Sequence, residues 1–244
     1  MISLRTPLQA TSLSLVLSLL GCGTSPATHG ASSSGDEDHD HDGAMSCHGH
    51  GPEGDFTDAE CFARMFDSPE RDAWQRPDEV VTLLAIREGM NVVDLGAGTG
   101  YFESRLSTAV GPTGTVLALD VEPAMLDYMQ ARFEREELRN VGIRQIPMNG
   151  AELASDSVDR ILIVNTWHHI EGRTAYASGL RDALRAHGTL TIVDFTLEST
   201  EGPPRSMRLT PEVVLEELRA ANLHAEVIEE TLPHQWVVRA RQND

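Results

Sequence analysis

The sequence predicts a doubly wound α/β fold, with helices on both faces of a mostly parallel sheet. Strand-like and helix-like segments alternate from Pro77 onward, as expected when each parallel strand is followed by a crossover helix. One buried strand runs directly into a glycine-rich turn within residues 91–100. The last two strand-like segments, 224–230 and 235–241, stand at the spacing of an antiparallel hairpin. We therefore expect a sheet of seven strands, of which the last is antiparallel.

The first predicted elements precede the glycine-rich turn. Proline suits the first position of a helix, so Pro77 followed by Asp78 and Glu79 predicts a helix that ends at Gly89. The preceding segment, 70–77 (ERDAWQRP), carries more charge and aromatic surface than a connector needs. It is interpreted either as a flap over a bound ligand or as a salt-bridge cluster between helices.

The glycine-rich turn follows the first strand, in which two valines favour β structure and Asp94 stands at the end. Gly96, Gly98 and Gly100 then alternate with small residues, which lets a ligand approach the main chain and the N-terminus of the next helix. Pyrophosphate binders favour GxGxxG, whereas here the spacing is GxGxG behind a carboxylate that would repel a phosphate. The turn therefore favours a ligand with an ammonium group at one end and an adenosine at the other.

Polar residues also follow the second and third strands. The second strand ends at Asp120, where a carboxylate can accept hydrogen bonds from both hydroxyls of a ribose. Its alternative role is the N-cap of the next helix, although Glu122 and Pro123 already supply a helix start. The third strand, 142–147, is followed by Asn149.

The fourth strand belongs to the stretch 161–170 (ILIVNTWHHI). Four apolar residues predict a buried central strand, and its carboxyl end reaches the crevice in which open α/β sheets bind ligands. Trp167 either stacks on a substrate there or simply packs in the core. The polar and aromatic residues delivered to this crevice are Asn165, Thr166, Trp167, His168 and His169.

The remaining chain completes the predicted sheet. A helix over 172–186 is expected to stop at His187 and Gly188, and a fifth strand follows over 189–194. A polar loop, 198–208, precedes a last helix and the terminal hairpin.

These motifs resemble those of the class I S-adenosylmethionine-dependent methyltransferases, whose first motif is matched by residues 92–100 (VVDLGAGTG). The resemblance covers about residues 67–241 and implies a Rossmann-like fold with S-adenosylmethionine as cofactor. Many members carry an aspartate in place of Asn149 that accepts from the adenine amino group, and the asparagine carbonyl can still accept. Val121 and Met125 either pack against the face of the adenine ring or belong to the core. The implied cofactor-binding residues are Asp94, Gly96, Ala97, Gly98, Gly100, Asp120, Val121, Asn149, Gly150 and Asn165.

The two histidines after the fourth strand are the candidate catalytic residues. Methyl transfer is a displacement at carbon, so the protein mainly positions the acceptor and removes its proton where it carries one. Imidazole titrates near neutral pH and suits that task, which predicts His168 or His169 as the base. The alternative is that one histidine caps or buttresses the following helix.

The amino terminus predicts export. Residues 1–21 combine Arg5 with a short apolar run, as in a signal peptide. Residues 19–22 (LLGC) resemble a bacterial lipoprotein cleavage box, which implies a lipid-anchored Cys22 in the periplasm or outer membrane. The alternative is an ordinary cytosolic amino terminus.

Residues 22–60 are predicted to be a disordered, acidic, histidine-rich tether, because they contain too few apolar residues to form a core. The tether is interpreted as a solvated spacer or as a weak divalent-metal ligand, since imidazole, thiolate and carboxylate are typical metal ligands. Cys47 and Cys61 could also pair in an oxidising compartment. No metal site is predicted in the domain at 61–244.

The charge of the chain bears on its partners. The formal net charge is −19, and removal of residues 1–21 takes away one further positive charge, that of Arg5. Such a field repels nucleic acid, so a small-molecule substrate is expected instead. Nothing in the sequence specifies an oligomeric state.

The sequence therefore predicts an exported, lipid-anchored methyltransferase that acts on a small molecule or an envelope component. S-adenosylmethionine is made in the cytosol, which leaves open a second hypothesis. In that alternative the chain is a non-catalytic ligand-binding or metal-binding lipoprotein on a methyltransferase scaffold.

Overall fold

A computed structural model of the chain describes residues 58–243. The predicted signal peptide, the lipid site at Cys22 and nearly all of the predicted tether lie outside these residues. Cys61 is disulfide-bonded, and Cys47 of the predicted pairing lies outside the described residues. Between residues 58 and 243, no helix is long and apolar enough to cross a membrane.

Seven α-helices and seven β-strands make up the described chain. The helices are α1 (Ala59–Phe66), α2 (Pro69–Gln75), α3 (Pro77–Leu83), α4 (Glu103–Val110), α5 (Pro123–Arg135), α6 (Arg173–Ala183) and α7 (Pro211–Ala220). The strands are β1 (Asn91–Leu95), β2 (Thr115–Asp120), β3 (Val141–Gln145), β4 (Val158–Val164), β5 (Leu184–Phe195), β6 (Leu223–Ile228) and β7 (Gln235–Gln242). Short 3₁₀ turns lie at Trp167–His169 and Arg205–Met207.

The strands form one sheet in the order β3-β2-β1-β4-β5-β7-β6. β1 to β5 run parallel to one another, and β7 runs antiparallel between β5 and β6. The predicted seven-stranded, mostly parallel sheet with an antiparallel last strand is confirmed.

Apolar side chains cover both faces of the sheet. On one face, Leu180 of α6 and Leu218 of α7 belong to a cluster with Trp167, which is fully buried. On the other face, Val80 of α3 and Leu106 of α4 pack with strand residues. The two-faced arrangement follows from the apolar runs of the central strands, which need cover on both sides.

The junction between α6 and β5 differs from the prediction. The helix ends at Ala183 and the strand begins at Leu184, so His187 and Gly188 lie inside β5 and do not stop the helix. The register of β4 and β5 shifts between Val158 and Arg160, and His187 adopts a φ of 66°. An irregularity of this kind inserts residues into a strand and hides its alternation from sequence inspection.

Candidate functional site

The candidate site lies at the carboxyl ends of β1, β2 and β4. The strand order reverses its direction beside β1, and ligands of open α/β sheets bind at such a switch point. The backbone N–H groups of Gly96 and Ala97 donate to the carbonyl of Leu119 at 2.8 and 3.0 Å. The structure thus brings the glycine-rich turn against the end of β2.

The turn requires glycine for two different reasons. Gly96, Gly98 and Gly100 have φ values of 76°, 58° and 80°, which disfavour side chains. A Cβ at Gly96 would also lie 2.3 Å from Oγ1 of Thr166, whereas the nearest atom to one at Gly98, in Phe66, is 3.7 Å away. The Gly96 backbone is therefore fitted tightly against the segment after β4, whereas a Cβ at Gly98 would make only ordinary van der Waals contact.

Asp94 and Glu103 form a buried carboxyl pair beneath the turn. Their exposed fractions are 2% and 0%, and burial raises the pKa of both groups. The charge of Asp94 raises the pKa of Glu103 further. Neither carboxyl oxygen of Glu103 has a hydrogen-bond partner of good geometry among the described residues. Asp94 is therefore the member of the pair that ionises first. The pair is suited to bind a cation that compensates the negative charge of Asp94.

Arg71 of α2 brings a positive charge to the same place. Its guanidinium carbon lies 3.9 Å from the ring centre of Tyr101, and its Nη1 and Nη2 donate to the Phe66 carbonyl at 2.7 Å and to Oε1 of Gln75 at 3.2 Å. Burial lowers the pKa of Arg71 to about 10, and Asp94 is among the charges that oppose this shift. Its Nε is buried with no partner in residues 58–243. This donor is available for an anionic group.

Asp120 occupies the predicted position at the end of β2. Its Oδ2 accepts from the Gly98 N–H at 2.8 Å and its Oδ1 from the Glu122 N–H at 3.0 Å. Burial raises the pKa of Asp120. The N-cap of α5 is Glu122, so the capping alternative does not apply. A carboxylate has acceptor sites for about four hydrogen bonds, so Asp120 keeps capacity for a pair of hydroxyls.

The residues predicted around the adenine are divided between surface and core. Val121 is 40% exposed at the end of β2, and Asn149 is also exposed. A Cβ at Gly150 would meet no atom within 4 Å. Met125 is buried with Phe62 and is part of the core, so it does not pack against a bound adenine. Met148, which no sequence pattern singled out, is an apolar side chain that is 68% exposed beside Asn149.

Asn165, at the end of β4, belongs to a closed ring of three amides. Its Nδ2 donates to Oε1 of Gln75 at 3.2 Å, Nε2 of Gln75 donates to Oε1 of Gln235 at 2.7 Å, and Nε2 of Gln235 donates back to Oδ1 of Asn165 at 2.6 Å. We call this the amide ring. It joins α2 to the ends of β4 and β7, so the predicted flap segment is tied directly to the site.

The flap segment holds aromatic surface over the β5 end. The Trp74 ring centre lies 5.7 Å from that of Phe195 and 6.5 Å from that of His234. The alternative interpretation, a salt-bridge cluster, also describes part of the segment, because Arg105 pairs with Asp72 at 3.3 Å. The segment therefore contains a salt bridge between helices, and the flap interpretation stays a prediction.

The two candidate catalytic histidines have different surroundings. Nδ1 of His168 lies 2.9 Å from both carboxyl oxygens of Asp194, at the end of β5. The His169 ring lies 4.2 Å from that of His168 and belongs to an exposed residue. Trp167 donates its Nε1–H to Glu217 at 3.0 Å, and it packs in the core and not on a substrate.

Sequence reasoning did not identify several residues that the fold brings to the site. Asp194 stands at the end of the predicted fifth strand, a position that favours a site residue. No sequence spacing between Asp194 and His168 indicated that the two side chains would meet. Glu103 reads as an ordinary acidic residue in the first turn of a helix. Gln235 meets Gln75 across 160 positions of the chain, a distance over which no local pattern extends.

Comparisons with known proteins agree with this geometry. A family model described as "Methyltransferase domain" matches residues 86–239. The ubiquinone/menaquinone biosynthesis C-methyltransferase of Haemophilus ducreyi is 28% identical over 117 residues, which are 46% of this chain and 43% of that protein. The protein of the same name from Coxiella burnetii is 26% identical over 120 residues, 49% of this chain and 48% of that protein. The match thus spans less than half the length of these relatives.

A solved structure extends the comparison over more of the chain. The crystal structure of a SAM-dependent methyltransferase from Aquifex aeolicus aligns with a TM-score of 0.70 at 26% identity. The alignment covers 76% of this chain and 97% of that one.

Proposed function

The chain belongs to the methyltransferase domain family, and we propose that it transfers the methyl group of S-adenosylmethionine to a small molecule or an envelope component. The observation that carries the proposal is the arrangement of charges around the glycine-rich turn. One buried carboxylate lies near the end of β1, a second lies at the end of β2, and a guanidinium with an unused donor lies beside the first.

This arrangement fits the cofactor group by group. Asp94 offers a negative charge for the ammonium end, and Nε of Arg71 offers a donor for the adjoining carboxylate. Asp120 has acceptor sites left for the ribose hydroxyls. The exposed apolar side chains of Val121 and Met148 provide surface for the adenine. When bound, S-adenosylmethionine supplies a methyl group on a positively charged sulfur, and the side chains hold it in place.

The proposal is tested by calorimetric titration of the full chain with S-adenosylmethionine and with S-adenosylhomocysteine. Asp94→Asn and Asp120→Asn should each weaken binding about 10- to 150-fold, because a hydrogen bond to a charged group is worth roughly 1.5–3 kcal/mol. Asp182→Asn is the matched control, since that side chain is 59% exposed on α6. Absence of binding to the unmodified chain would refute the proposal.

We also propose that the chain is exported and lipid-anchored at Cys22. The support is the signal-like residues 1–21 and the lipobox-like residues 19–22, together with the disulfide of Cys61, a bond that persists in oxidising compartments. Mass spectrometry of the membrane fraction should find a lipidated Cys22, and Cys22→Ser should release the chain into the soluble fraction. A chain that stays cytosolic with an intact Met1 would contradict this.

The second candidate function is a ligand-binding lipoprotein that performs no transfer. The observation behind it is the tension between an export signal and a cofactor made in the cytosol. It predicts binding of S-adenosylhomocysteine without methylation of any acceptor in the envelope fraction. The metal-binding form of this alternative predicts Zn²⁺ or Ni²⁺ retention that is lost when the five tether ligands, His39, His41, Cys47, His48 and His50, are replaced.

A further inference from the structure

We propose that His168 is the base of the transfer through its Nε2, that Asp194 is its positioning residue, and that the acceptor is an acidic hydroxyl such as a phenol or an enol. The inference rests on the proposed methyltransferase function and deepens it, because it names the class of acceptor.

The contact with Asp194 fixes the form of the histidine. Both carboxyl oxygens of Asp194 lie 2.9 Å from Nδ1 of His168, and the two side chains are only 1% and 2% exposed. The Phe195 N–H holds Oδ1 of Asp194 at 2.8 Å. An ionised carboxylate can only accept hydrogen bonds, so Nδ1 carries the proton and the lone pair of the neutral ring lies on Nε2.

The position of His168 in the fold connects it with the donor site. It stands two residues after Thr166, whose Oγ1 lies 3.5 Å from the Gly96 carbonyl oxygen. β4 lies between β1 and β5 in the sheet, so the Asp194 end of β5 and the glycine-rich turn flank the same strand end. His168 is therefore located at the same edge of the sheet as the glycine-rich turn.

His169 is the weaker candidate. Partial burial of its ring, and after that the neighbouring His168, lower its pKa to about 4. A group with so low a pKa is a poor proton acceptor at neutral pH. Its ring lies 4.2 Å from that of His168, where it covers one side of the base.

The proposed step balances as follows. Nε2 of His168 takes the proton of the acceptor hydroxyl as the oxygen forms its bond to the methyl carbon. The electron pair of the carbon–sulfur bond goes to sulfur, which leaves as a neutral thioether. The imidazolium is stabilised by Asp194 and later gives its proton to solvent. A neutral imidazole suits a hydroxyl of pKa near 10 better than an aliphatic alcohol, whose proton is much harder to remove.

The first test measures the tautomer of His168 directly. Nitrogen NMR of the full chain with labelled histidine, assigned with His168→Gln, should show a protonated Nδ1 and an unprotonated Nε2 at neutral pH. Asp194→Asn should redistribute the tautomers without changing S-adenosylhomocysteine binding by more than about twofold. A proton on Nε2 in the unmodified chain would overturn the proposal.

The second test compares two probes, phenol and 4-nitrophenol, at a mildly alkaline pH at which only the second is already an anion. His168→Gln should lower phenol methylation about 10²- to 10⁴-fold, the usual contribution of a general base, and should affect 4-nitrophenol far less. Equal losses on both probes, or a chain that binds S-adenosylhomocysteine but methylates neither, would overturn the proposal. A chain that does not bind S-adenosylhomocysteine would instead refute the methyltransferase function itself.

Discussion

Replacement of Gly96 by alanine isolates the contact between the glycine-rich turn and the segment after β4. The new Cβ would lie 2.3 and 2.4 Å from Oγ1 and Cγ2 of Thr166, far inside the van der Waals distance. The backbone also has a φ of +76°, a conformation that an alanine disfavours. The variant therefore suffers from two separate costs, one local and one from packing.

The magnitudes can be separated with a matched variant. The left-handed backbone costs an alanine about 1–2 kcal/mol, and overpacking adds about 1–3 kcal/mol, so Gly96→Ala should lower the free energy of unfolding by about 2–5 kcal/mol. Gly98→Ala shares the positive φ, 58°, but its Cβ would come no closer than 3.7 Å to another residue. It should therefore show only the backbone cost, about 1–2 kcal/mol.

Urea unfolding of the full chain measures both values. The added substitution Thr166→Ala removes two of the three close atoms and should recover about 0.5–3 kcal/mol in the Gly96→Ala background, while doing nothing comparable in the Gly98→Ala background. Equal losses in the two glycine variants, or no recovery with Thr166→Ala, would show that the turn is not fitted against Thr166.

Three further predictions concern charge and loop order. Burial raises the pKa of Asp94 to about 7, and the cofactor ammonium pairs with the ionised form, so the Kd for S-adenosylmethionine should rise about tenfold per pH unit below that pKa. Calorimetry on Asp94→Asn should show weak binding whose Kd does not change with pH in this way. A Kd that does not depend on pH in the unmodified chain would contradict the pairing. Arg71→Met should weaken S-adenosylhomocysteine binding about 10-fold or more but leave 5′-methylthioadenosine, which lacks the carboxylate, unchanged; equal losses for both ligands would exclude the carboxylate role. The guanidinium of Arg208 donates to the carbonyls of Thr196, Ser199, Glu201 and Pro203. Arg208→Met should therefore speed proteolysis within residues 196–207 with little change in the free energy of global unfolding. An unchanged rate of cleavage would show that these hydrogen bonds do not order the loop.

The fold was predictable because its signals are local. Apolar runs, a glycine-rich turn and proline helix starts lie within a few residues of the elements they specify. The start of β5 was missed because the register shift opposite Val158 breaks the alternation that marks a strand.

The site was predictable only in part. Asp94 and Asp120 could be found because each stands at the end of its own strand, beside the turn. Arg71, Glu103 and Asp194 could not be assigned their partners, because each meets them through tertiary packing. Asp194, for example, reaches His168 across 26 positions and only because β4 and β5 are neighbours.

The amide ring sets the practical boundary for any shortened version of this protein. The family match begins at residue 86, but Gln75, before that boundary, is fully buried and satisfies the amides of both Asn165 and Gln235. A recombinant fragment that started at residue 86 would leave Nδ2 of Asn165 and Oε1 of Gln235 without the bonds that Gln75 supplies, although these two amides would still bond to each other. A fragment for crystallisation or display must therefore begin before α2, even though the family match starts later.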